Sequence, residues 1–396
     1  MARIALCWEL GRGAGHIVPL RALAEGLRHH GHDCRFLVRD AAQARRHLDP
    51  GGWPWEMAPA LPRRLAARHA RPLIHAQLLE NSGFLDQAVI RESVAGWRRQ
   101  FLAMKTELAV FDHSPGAQLA ALSLNLPGVV TGSGFLIPPP GVPMPALRPI
   151  ARQLPAGQRL ALEQPLTGRM NRILADYRAP ALASLSELYT RFTQALLTFP
   201  ELDHYRGREA ADYWGPTATP PGAEPTWPSG RGPKLFVYLR NFAALPALLS
   251  RLSRLDVRAL AWLPDAGSAA RPYCSDNIRL LDRPAGLDTV ARESDLAIIH
   301  GGHGTVATCL LAGCPLLILP LHLEMQLMGA NVERLGAGLT ARHGDTHATL
   351  EKLHRLLNED SFRRRAEGFA SGHKDFDAGR LPERFAQLAG RLMLPH

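Results

Sequence analysis

Short apolar runs alternate with segments of helical periodicity along most of this 396-residue chain, and this alternation restricts the fold more than any other feature. Residues 2–8 form an apolar run, and a glycine-rich stretch at residues 10–14 follows it. Apolar residues then recur at helical spacing over residues 17–29, and residues 34–38 form a second apolar run. This order of strand, loop, helix and strand predicts the opening of a doubly wound parallel sheet.

The same rhythm continues and then restarts in the second half of the chain. Further strands are predicted in the first half at residues 108–111 and 127–131, and residues 155–197 have a mainly helical pattern. In the second half the predicted strands are residues 235–239, 259–263, 278–280, 296–299 and 316–319. The proline-dense residues 215–233 separate the two halves and are typical of a linker.

The length of the chain also favours two domains, because a single hydrophobic core rarely grows this large. We therefore predict an α/β protein with two Rossmann-like, doubly wound domains that face each other across a cleft. The first domain comprises residues 1–214, the linker residues 215–233 and the second domain residues 234–378. Residues 379–396 are predicted to contain an amphipathic C-terminal helix.

Composition excludes several classes of function. The net charge of +10 comes almost entirely from scattered arginines, since only Lys105, Lys234, Lys352 and Lys374 are lysines. No basic patch with interleaved aromatic residues exists, so we predict no nucleic-acid partner, and an anionic substrate or peripheral membrane contact stays open.

Five cysteines without a CxxC pair argue against a zinc site or a disulfide scaffold and predict a reducing, cytoplasmic compartment. No apolar stretch is long enough to span a membrane.

The most informative segment begins at His300, where a buried strand is predicted to end. Gly301-Gly302-His303-Gly304-Thr305 follows and opens a helix. Glycines let the backbone approach a ligand closely, and the unpaired N–H groups of a helix start favour an anion. A nucleoside diphosphate fits this pattern, with His300, Gly304 and Thr305 as donors to phosphate oxygens. The alternative is a tight strand-to-helix turn that binds nothing.

This stretch resembles the donor-binding signature of the family 1 glycosyltransferases, the UDP-glycosyltransferase superfamily of the GT-B fold. The matching elements are His300, the turn from Gly302 to Thr305, Ala312-Gly313-Cys314-Pro315 and Glu324. The resemblance implies that His300 contacts the diphosphate and that Glu324 hydrogen-bonds sugar hydroxyls, with His303 as a further candidate for phosphate. It also implies that the C-terminal helix crosses back onto the first domain.

A second motif, Gly15-His16-Ile17-Val18-Pro19, resembles the GHxxP element of the same family. The resemblance implies that His16 is a general base, which a neutral imidazole near pH 7 is suited to be. A base of this kind usually needs a carboxylate on its other nitrogen, and Asp112 lies at the carboxyl end of a later strand, where active residues gather. The alternative for His16 is a histidine that only caps or packs at a helix start.

Other candidates rest on position alone. Arg240 follows the first strand of the second domain, where it could neutralise a diphosphate or be solvated. Glu9 follows the first strand of the chain and could line an acceptor cleft or be solvated. The sequence departs from the family pattern at Leu281-Asp282-Arg283-Pro284, where an aromatic residue often stacks on the base, and at Met325 after Glu324. UDP, dTDP and other nucleotides therefore remain open.

Together with these features, the resemblance implies an inverting, metal-independent glycosyltransferase of EC class 2.4, of the hexosyltransferase type. It would use a nucleotide sugar as cosubstrate and no other cofactor. The irregular residues 132–149 contain Phe135, Leu136, Ile137 and Met144, which predict either an apolar-lined cleft for an aromatic or lipid acceptor or simple core packing.

Three other functions compete with this prediction. The first is a dinucleotide-dependent oxidoreductase, because Gly11, Gly13 and Gly15, with Asp40, resemble part of a dinucleotide fingerprint, although the spacing is not G-x-G-x-x-G and the His300 segment is left unexplained. A nucleotide-sugar epimerase and a non-catalytic nucleotide-sugar-binding protein of the same fold are the remaining alternatives. An epimerase needs acid and base groups around the donor sugar, where Glu324 is the main candidate.

Overall fold

The described part of the chain forms two parallel sheets of six strands each. The computed structural model describes residues 1–59, 61, 68–205, 207–209 and 211–394. Unit 1 comprises Met1–Thr198, Tyr205–Thr217 and Asp377–His396, and unit 2 comprises Phe199–His204 and Ala218–Phe376. The short Phe199–His204 segment, which lies inside the predicted first domain, groups with unit 2.

The sheet of unit 1 has the strand order β3-β2-β1-β4-β5-β6. Its strands are β1 (Arg3–Trp8), β2 (Asp33–Val38), β3 (Trp55–Met57), β4 (Leu108–Asp112), β5 (Gly128–Gly132) and β6 (Thr193–Leu196). Its helices before the linker are α1 (Ala14–His29), α2 (Ala41–His47), α3 (His75–Leu79), α4 (Gln87–Met104), α5 (Pro115–Ser123), α6 (Ala156–Asp176) and α7 (Glu187–Thr190). Every residue of β4 and β5 is buried, as expected of parallel strands covered on both faces.

The switch point of this sheet lies between β1 and β4. The chain runs outward from β1 through β2 to β3 and then returns to β4 on the other side of β1. In the register, Trp8 pairs with Val38 on one side and with Asp112 on the other. Ligands bind outside the carboxyl ends of the strands at such a point, so the loop after β1 and the end of β4 form the natural site of unit 1.

Unit 2 repeats this plan with the strand order β12-β11-β10-β7-β8-β9. Its strands are β7 (Lys234–Tyr238), β8 (Arg258–Trp262), β9 (Ile278–Leu280), β10 (Leu296–Ile299), β11 (Leu316–Ile318) and β12 (Gly338–Thr340). Its helices are α8 (Leu245–Leu252), α9 (Leu287–Glu293), α10 (His303–Leu311), α11 (Leu323–Leu335), α12 (Thr346–Asn358) and α13 (Asp360–Gly372). The switch point here lies between β7 and β10, whose following loops carry Arg240 and His300.

The last helix, α14 (Leu381–Leu392), packs on α1 within unit 1. The approach is close, because a Cβ added to Gly26 of α1 would lie 1.9 Å from the carbonyl oxygen of Pro382. The ring of Phe385 also meets the edge of Trp214. Residues 395 and 396 of the predicted C-terminal segment lie outside the described residues. Among the helices of the described ranges, none has the length and apolarity that a membrane crossing requires.

Every strand that the apolar runs predict is present, with ends shifted by at most a residue or two. The sequence pattern missed β3, β6 and β12, which all lie at sheet edges. The prediction that residues 155–197 are mainly helical is therefore wrong at its end, where β6 forms. Edge strands of three or four residues show too few alternations for periodicity to reveal them.

Candidate functional site

A histidine–aspartate pair lies at the switch point of unit 1. His16 is in the first turn of α1, Asp112 ends β4, and Nδ1 of His16 lies 2.6 Å from Oδ1 of Asp112. The carboxylate accepts, so Nδ1 carries the proton and Nε2 keeps its lone pair. The Asp112 side chain is 1% exposed and that of His16 13%. The pair therefore has the geometry of a base that is oriented by a buried carboxylate.

Two aromatic rings hold the imidazole of His16. The ring of Trp8 stacks on it at a centroid distance of 5.4 Å, and the ring of His113 stacks at 5.9 Å. His113 adopts a left-handed backbone conformation, with φ of 47°, and its carbonyl oxygen accepts the N–H of Leu10. No sequence motif placed Trp8 and His113 in the site, because their contact with His16 depends on the β1–β4 pairing.

The glycine-rich loop leaves room for the reactive nitrogen. Gly11 has φ of +83°, and a Cβ added there would lie 2.2 Å from Nε2 of His16. Gly13 has φ of +85°, but a Cβ there would meet nothing within 4 Å. Glycine is therefore needed at position 11 for two reasons: the positive φ of the backbone and the close approach of the His16 imidazole.

Burial shapes the ionisation of this cluster. It raises the pKa of the Asp112 carboxyl, whereas the charge and hydrogen bond of His16 act in the opposite direction. Burial lowers the pKa of His113 to well below its usual value, and positive charge on His16 or His75 adds to that effect. His113 is therefore neutral at pH 7, and the buried carboxylate favours His16 as the ring that accepts a proton.

Glu9 has neither of the roles that its position suggested. It is buried, and its carboxylate accepts the N–H of Gly116 at 2.6 Å and the hydroxyl of Ser93 at 2.8 Å. It therefore neither lines an acceptor cleft nor is solvated, and it instead neutralises the N-terminus of α5. Burial raises its pKa. A Cβ on Gly116 would lie 2.3 Å from the carboxylate, so the glycine makes this arrangement possible.

The apolar residues of the irregular segment 132–149 are packed inside unit 1. Phe135 and Leu136 are 9% and 7% exposed, and Ile137 and Met144 are 0% and 1% exposed. The buried carboxylate of Glu163 accepts the backbone N–H of Met144 at 3.0 Å. The core-packing alternative therefore describes these side chains better than an apolar-lined cleft.

The glycine-rich turn of unit 2 presents an open helix start. Gly301 turns the chain with φ of +93°, Gly302 precedes the helix, and α10 begins at His303. In the described part of the chain no side chain caps this helix. A Cβ added to Gly302 or Gly304 would meet nothing within 4 Å. The first N–H groups of α10, including that of Thr305, are therefore accessible to an anion.

His300 is buried and uses both of its ring nitrogens within the protein. Nε2 accepts the backbone N–H of Arg240 at 2.7 Å, and Nδ1 donates to the carbonyl oxygen of Leu319 at 2.6 Å. A neutral imidazole has one N–H and one lone pair. In this arrangement the proton of the neutral ring is bound to Leu319, and the contact of His300 with a phosphate oxygen stays a prediction.

The Arg240 side chain is 53% exposed, as the solvated alternative predicts, and its guanidinium is also paired with a carboxylate. Its Nε lies 2.6 Å and its Nη2 3.3 Å from the two carboxylate oxygens of Asp265, which follows β8. This pairing raises the pKa of Arg240 and lowers that of Asp265. Asp265 therefore offsets part of the charge of Arg240, and a contact of Arg240 with a diphosphate stays a prediction.

The remaining candidates lie at the same edge of the sheet. Glu324 is in the first turn of α11, which follows β11, and His322 directly precedes that helix. His303 begins α10, and burial lowers its pKa to about 4, with Asp203 acting in the opposite direction. Because β11, β10 and β7 are neighbours, their following loops bring Glu324, the α10 start and Arg240 to one edge of unit 2.

Comparisons with known proteins agree with the sequence motifs. Residues 246–374 match the family model of the erythromycin biosynthesis protein CIII-like C-terminal domain. Aclacinomycin-T 2-deoxy-L-fucose transferase of Streptomyces galilaeus is 31% identical over 163 residues, which are 39% of this chain and 35% of that protein. TDP-daunosamine transferase DnrS of Streptomyces peucetius is 30% identical over 133 residues, which are 32% of this chain and 31% of that protein. The matches thus span well under two thirds of either relative.

A solved structure shows the same fold over the whole chain. The glycosyltransferase SnogD from Streptomyces nogalater has a TM-score of 0.67 and 21% identity, and the match covers 99% of each chain. This likeness confirms the predicted GT-B architecture of two parallel-sheet α/β domains. Together with the sequence matches, it confirms the resemblance to the bacterial family 1 glycosyltransferases.

Proposed function

We propose that this chain, given its likeness to bacterial family 1 glycosyltransferases, is an inverting glycosyltransferase. It transfers a sugar from a nucleoside diphosphate to a hydroxyl group of a small-molecule acceptor. The observation that carries the proposal is the buried pair of His16 and Asp112, whose hydrogen bond assigns the ring proton to Nδ1 and the lone pair to Nε2. Of the sequence relatives described above, one is named as a 2-deoxy-L-fucose transferase and the other as a TDP-daunosamine transferase, so we propose a TDP-sugar donor.

In unit 1 the chemistry is a proton transfer. Nε2 of His16 takes the proton of the acceptor hydroxyl while the acceptor oxygen forms a bond to the anomeric carbon of the sugar. The carboxylate of Asp112 stabilises the imidazolium that forms. Attack from the face opposite the leaving group inverts the anomeric configuration. Trp8 and His113 keep the ring in the required orientation.

In unit 2 the chemistry is the departure of the diphosphate. The bond between the anomeric carbon and the phosphate oxygen breaks, and its electron pair stays on the diphosphate. The N–H groups of Gly304 and Thr305, at the start of α10, stabilise that charge. This stabilisation makes the proposed reaction independent of a metal ion. Glu324, in the first turn of α11, is the proposed partner of sugar hydroxyls.

The test begins with the donor. Titration calorimetry with dTDP, UDP and ADP on the intact chain should show the tightest binding for dTDP. TDP-deoxysugars are then incubated with polyphenolic aglycones, with and without EDTA, and the anomeric configuration of the product is determined by NMR. A product of inverted configuration that forms equally in EDTA supports the proposal. Retention of configuration, or isomerisation of the donor sugar without an acceptor, contradicts it, and the latter outcome identifies an epimerase.

A further inference from the structure

We infer that unit 1 has a second binding site, which takes the phosphate or carboxylate group of a molecule with an apolar body. The site is a cavity of about 270 Å³ that is lined by Pro145, Ala146, Arg152, Arg159 and Tyr205. All five residues belong to unit 1, and none of them is part of the histidine–aspartate pair. The inference goes beyond the proposed function, because binding at this cavity does not depend on sugar transfer.

The two arginines of the cavity have no anionic partner in the protein. Arg152 is exposed in the short helix Pro149–Gln153, and Arg159 is half-buried in the first turn of α6. Within the described ranges neither side chain forms a salt bridge or a hydrogen bond, and the Nε atom of Arg159 is buried. A guanidinium group binds phosphate or carboxylate oxygens in a bidentate manner. An oxyanion in the cavity would therefore satisfy donors that the protein leaves unbound.

Little negative charge lies near these arginines to compete with a bound anion. The sequence contains three arginines and no aspartate or glutamate between Asp112 and Glu163. Glu163 follows Arg159 by one helical turn, but its buried carboxylate accepts the N–H of Met144. Burial raises the pKa of Glu163 to about 7, so near neutral pH this carboxyl is only partly ionised. The start of α6 adds the partial positive charge of a helix N-terminus.

The surroundings of the arginines indicate an apolar body for the ligand. Ile150 and Leu162 are 63% and 36% exposed, although both side chains are large and apolar. Ile150 is in the same short helix as Arg152, and Leu162 lies three residues after Arg159 on α6, a spacing that places two side chains on one helix face. Apolar surface therefore adjoins both guanidinium groups.

The size of the cavity limits what enters it. Pockets for drug-sized ligands have volumes of roughly 300–1,000 Å³, and this cavity is slightly smaller. It therefore suits the anionic end of a molecule, whose apolar remainder would lie on the exposed side chains of Ile150 and Leu162.

Two sources provide an oxyanion on an apolar body, and separate measurements on the intact chain distinguish them. Calorimetry with phenyl phosphate and with benzoate tests a soluble compound, and excess dTDP is present so that a nucleotide site in unit 2 is filled. Cosedimentation with phosphatidylglycerol vesicles tests a lipid headgroup, with phosphatidylcholine vesicles as the uncharged reference. Binding in either measurement supports the inference and identifies the source, provided that the two arginines are required.

The requirement is tested by substitution. In the double variant Arg152→Gln, Arg159→Gln, the probe that binds the wild type should bind at least roughly tenfold more weakly, because charge-assisted hydrogen bonds are lost. The matched control is Arg45→Gln, Arg46→Gln, which removes the same charge from exposed positions of α2 and should bind as the wild type does. If the first double variant does not fold, Arg152→Gln alone provides the test, since Arg152 is exposed.

Three outcomes would overturn the inference. The first is equal affinity of the wild type and the variants of Arg152 and Arg159. The second is an equal loss in the control variant, which would show that only net charge matters. The third is a wild type that binds neither phenyl phosphate, nor benzoate, nor phosphatidylglycerol vesicles.

Discussion

Gly11 lies directly against Nε2 of His16, so close that a Cβ on the glycine would lie 2.2 Å from that nitrogen. Nε2 is the atom that accepts the proton in the proposed reaction, since Nδ1 is bound to Asp112. The glycine-rich loop after β1 therefore lies against the nitrogen that would accept the proton. Its spacing only partly resembles a dinucleotide fingerprint, and the contact with His16 gives Gly11 a different reason to be glycine.

The first prediction concerns this contact. Gly11→Ala should lower kcat/KM for sugar transfer by roughly 100-fold or more, because the new methyl group displaces the imidazole from its position as general base. Gly13→Ala is the matched control, since Gly13 has nearly the same φ but open space around it. Steady-state kinetics and circular dichroism of both variants check the prediction. Similar kinetic losses in the two would show that backbone strain, and not the clash with Nε2, is responsible.

The second prediction concerns the histidine–aspartate pair. In Asp112→Asn the side-chain amide can donate to Nδ1 of His16, which moves the ring proton to Nε2 and removes the base. We expect transfer to fall by roughly 10²–10⁴-fold in Asp112→Asn and in His16→Ala. Affinity for dTDP, measured by calorimetry, should remain that of the wild type, because the donor is bound by unit 2. A matching loss of dTDP affinity would disprove this division of roles.

The third prediction concerns the start of α10. Alanine at Gly304 fits the helix, because a Cβ there meets no protein atom within 4 Å. If the diphosphate lies over this turn, the methyl group occupies its space, and dTDP binding should weaken by roughly tenfold, the scale of a steric penalty of about 1–3 kcal/mol. Gly368→Ala, in the open middle of α13, should leave binding unchanged. Unaltered affinity in Gly304→Ala would place the diphosphate elsewhere.

The fourth prediction concerns stability in acid. His75 is fully buried beside the hydroxyl of Tyr189, and burial lowers its pKa to about 4. The usual pKa of this side chain is 6.5, so as the pH falls below 6.5 His75 is protonated in the unfolded chain before it is protonated in the folded chain. The contribution of His75 to stability is therefore fully present above pH 6.5 and is lost as the pH falls towards 4. The expected loss from this residue is about 3 kcal/mol in the free energy of unfolding.

Urea unfolding at pH 7 and at pH 4 measures this contribution. His75→Gln keeps a hydrogen-bonding group for Tyr189 but cannot be protonated, so its stability should fall less between the two pH values than that of the wild type. His347→Gln, at an exposed position, should behave as the wild type does. An identical pH dependence in all three proteins would refute the proposed role of His75.

Much of the fold and part of the site could be predicted from the sequence. The central strands are continuous apolar runs, and the turns that follow β1 and β10 contain the glycines and histidines that their motifs require. These signals are local, since each is contained in a few consecutive residues. Edge strands such as β6 were missed because three or four residues show no clear period.

The roles of individual polar side chains depended on the tertiary structure. Glu9 binds the N–H of Gly116, His300 binds Arg240 and Leu319, and Arg240 binds Asp265. In each case the partners are far apart in the sequence and meet only because the sheet brings particular strand ends together. The sequence by itself determined the two parallel sheets and the residues at their switch points. Only the folded chain decided which hydrogen bonds those residues make, because each polar group can make only a few and the neighbouring strand ends supply its partners.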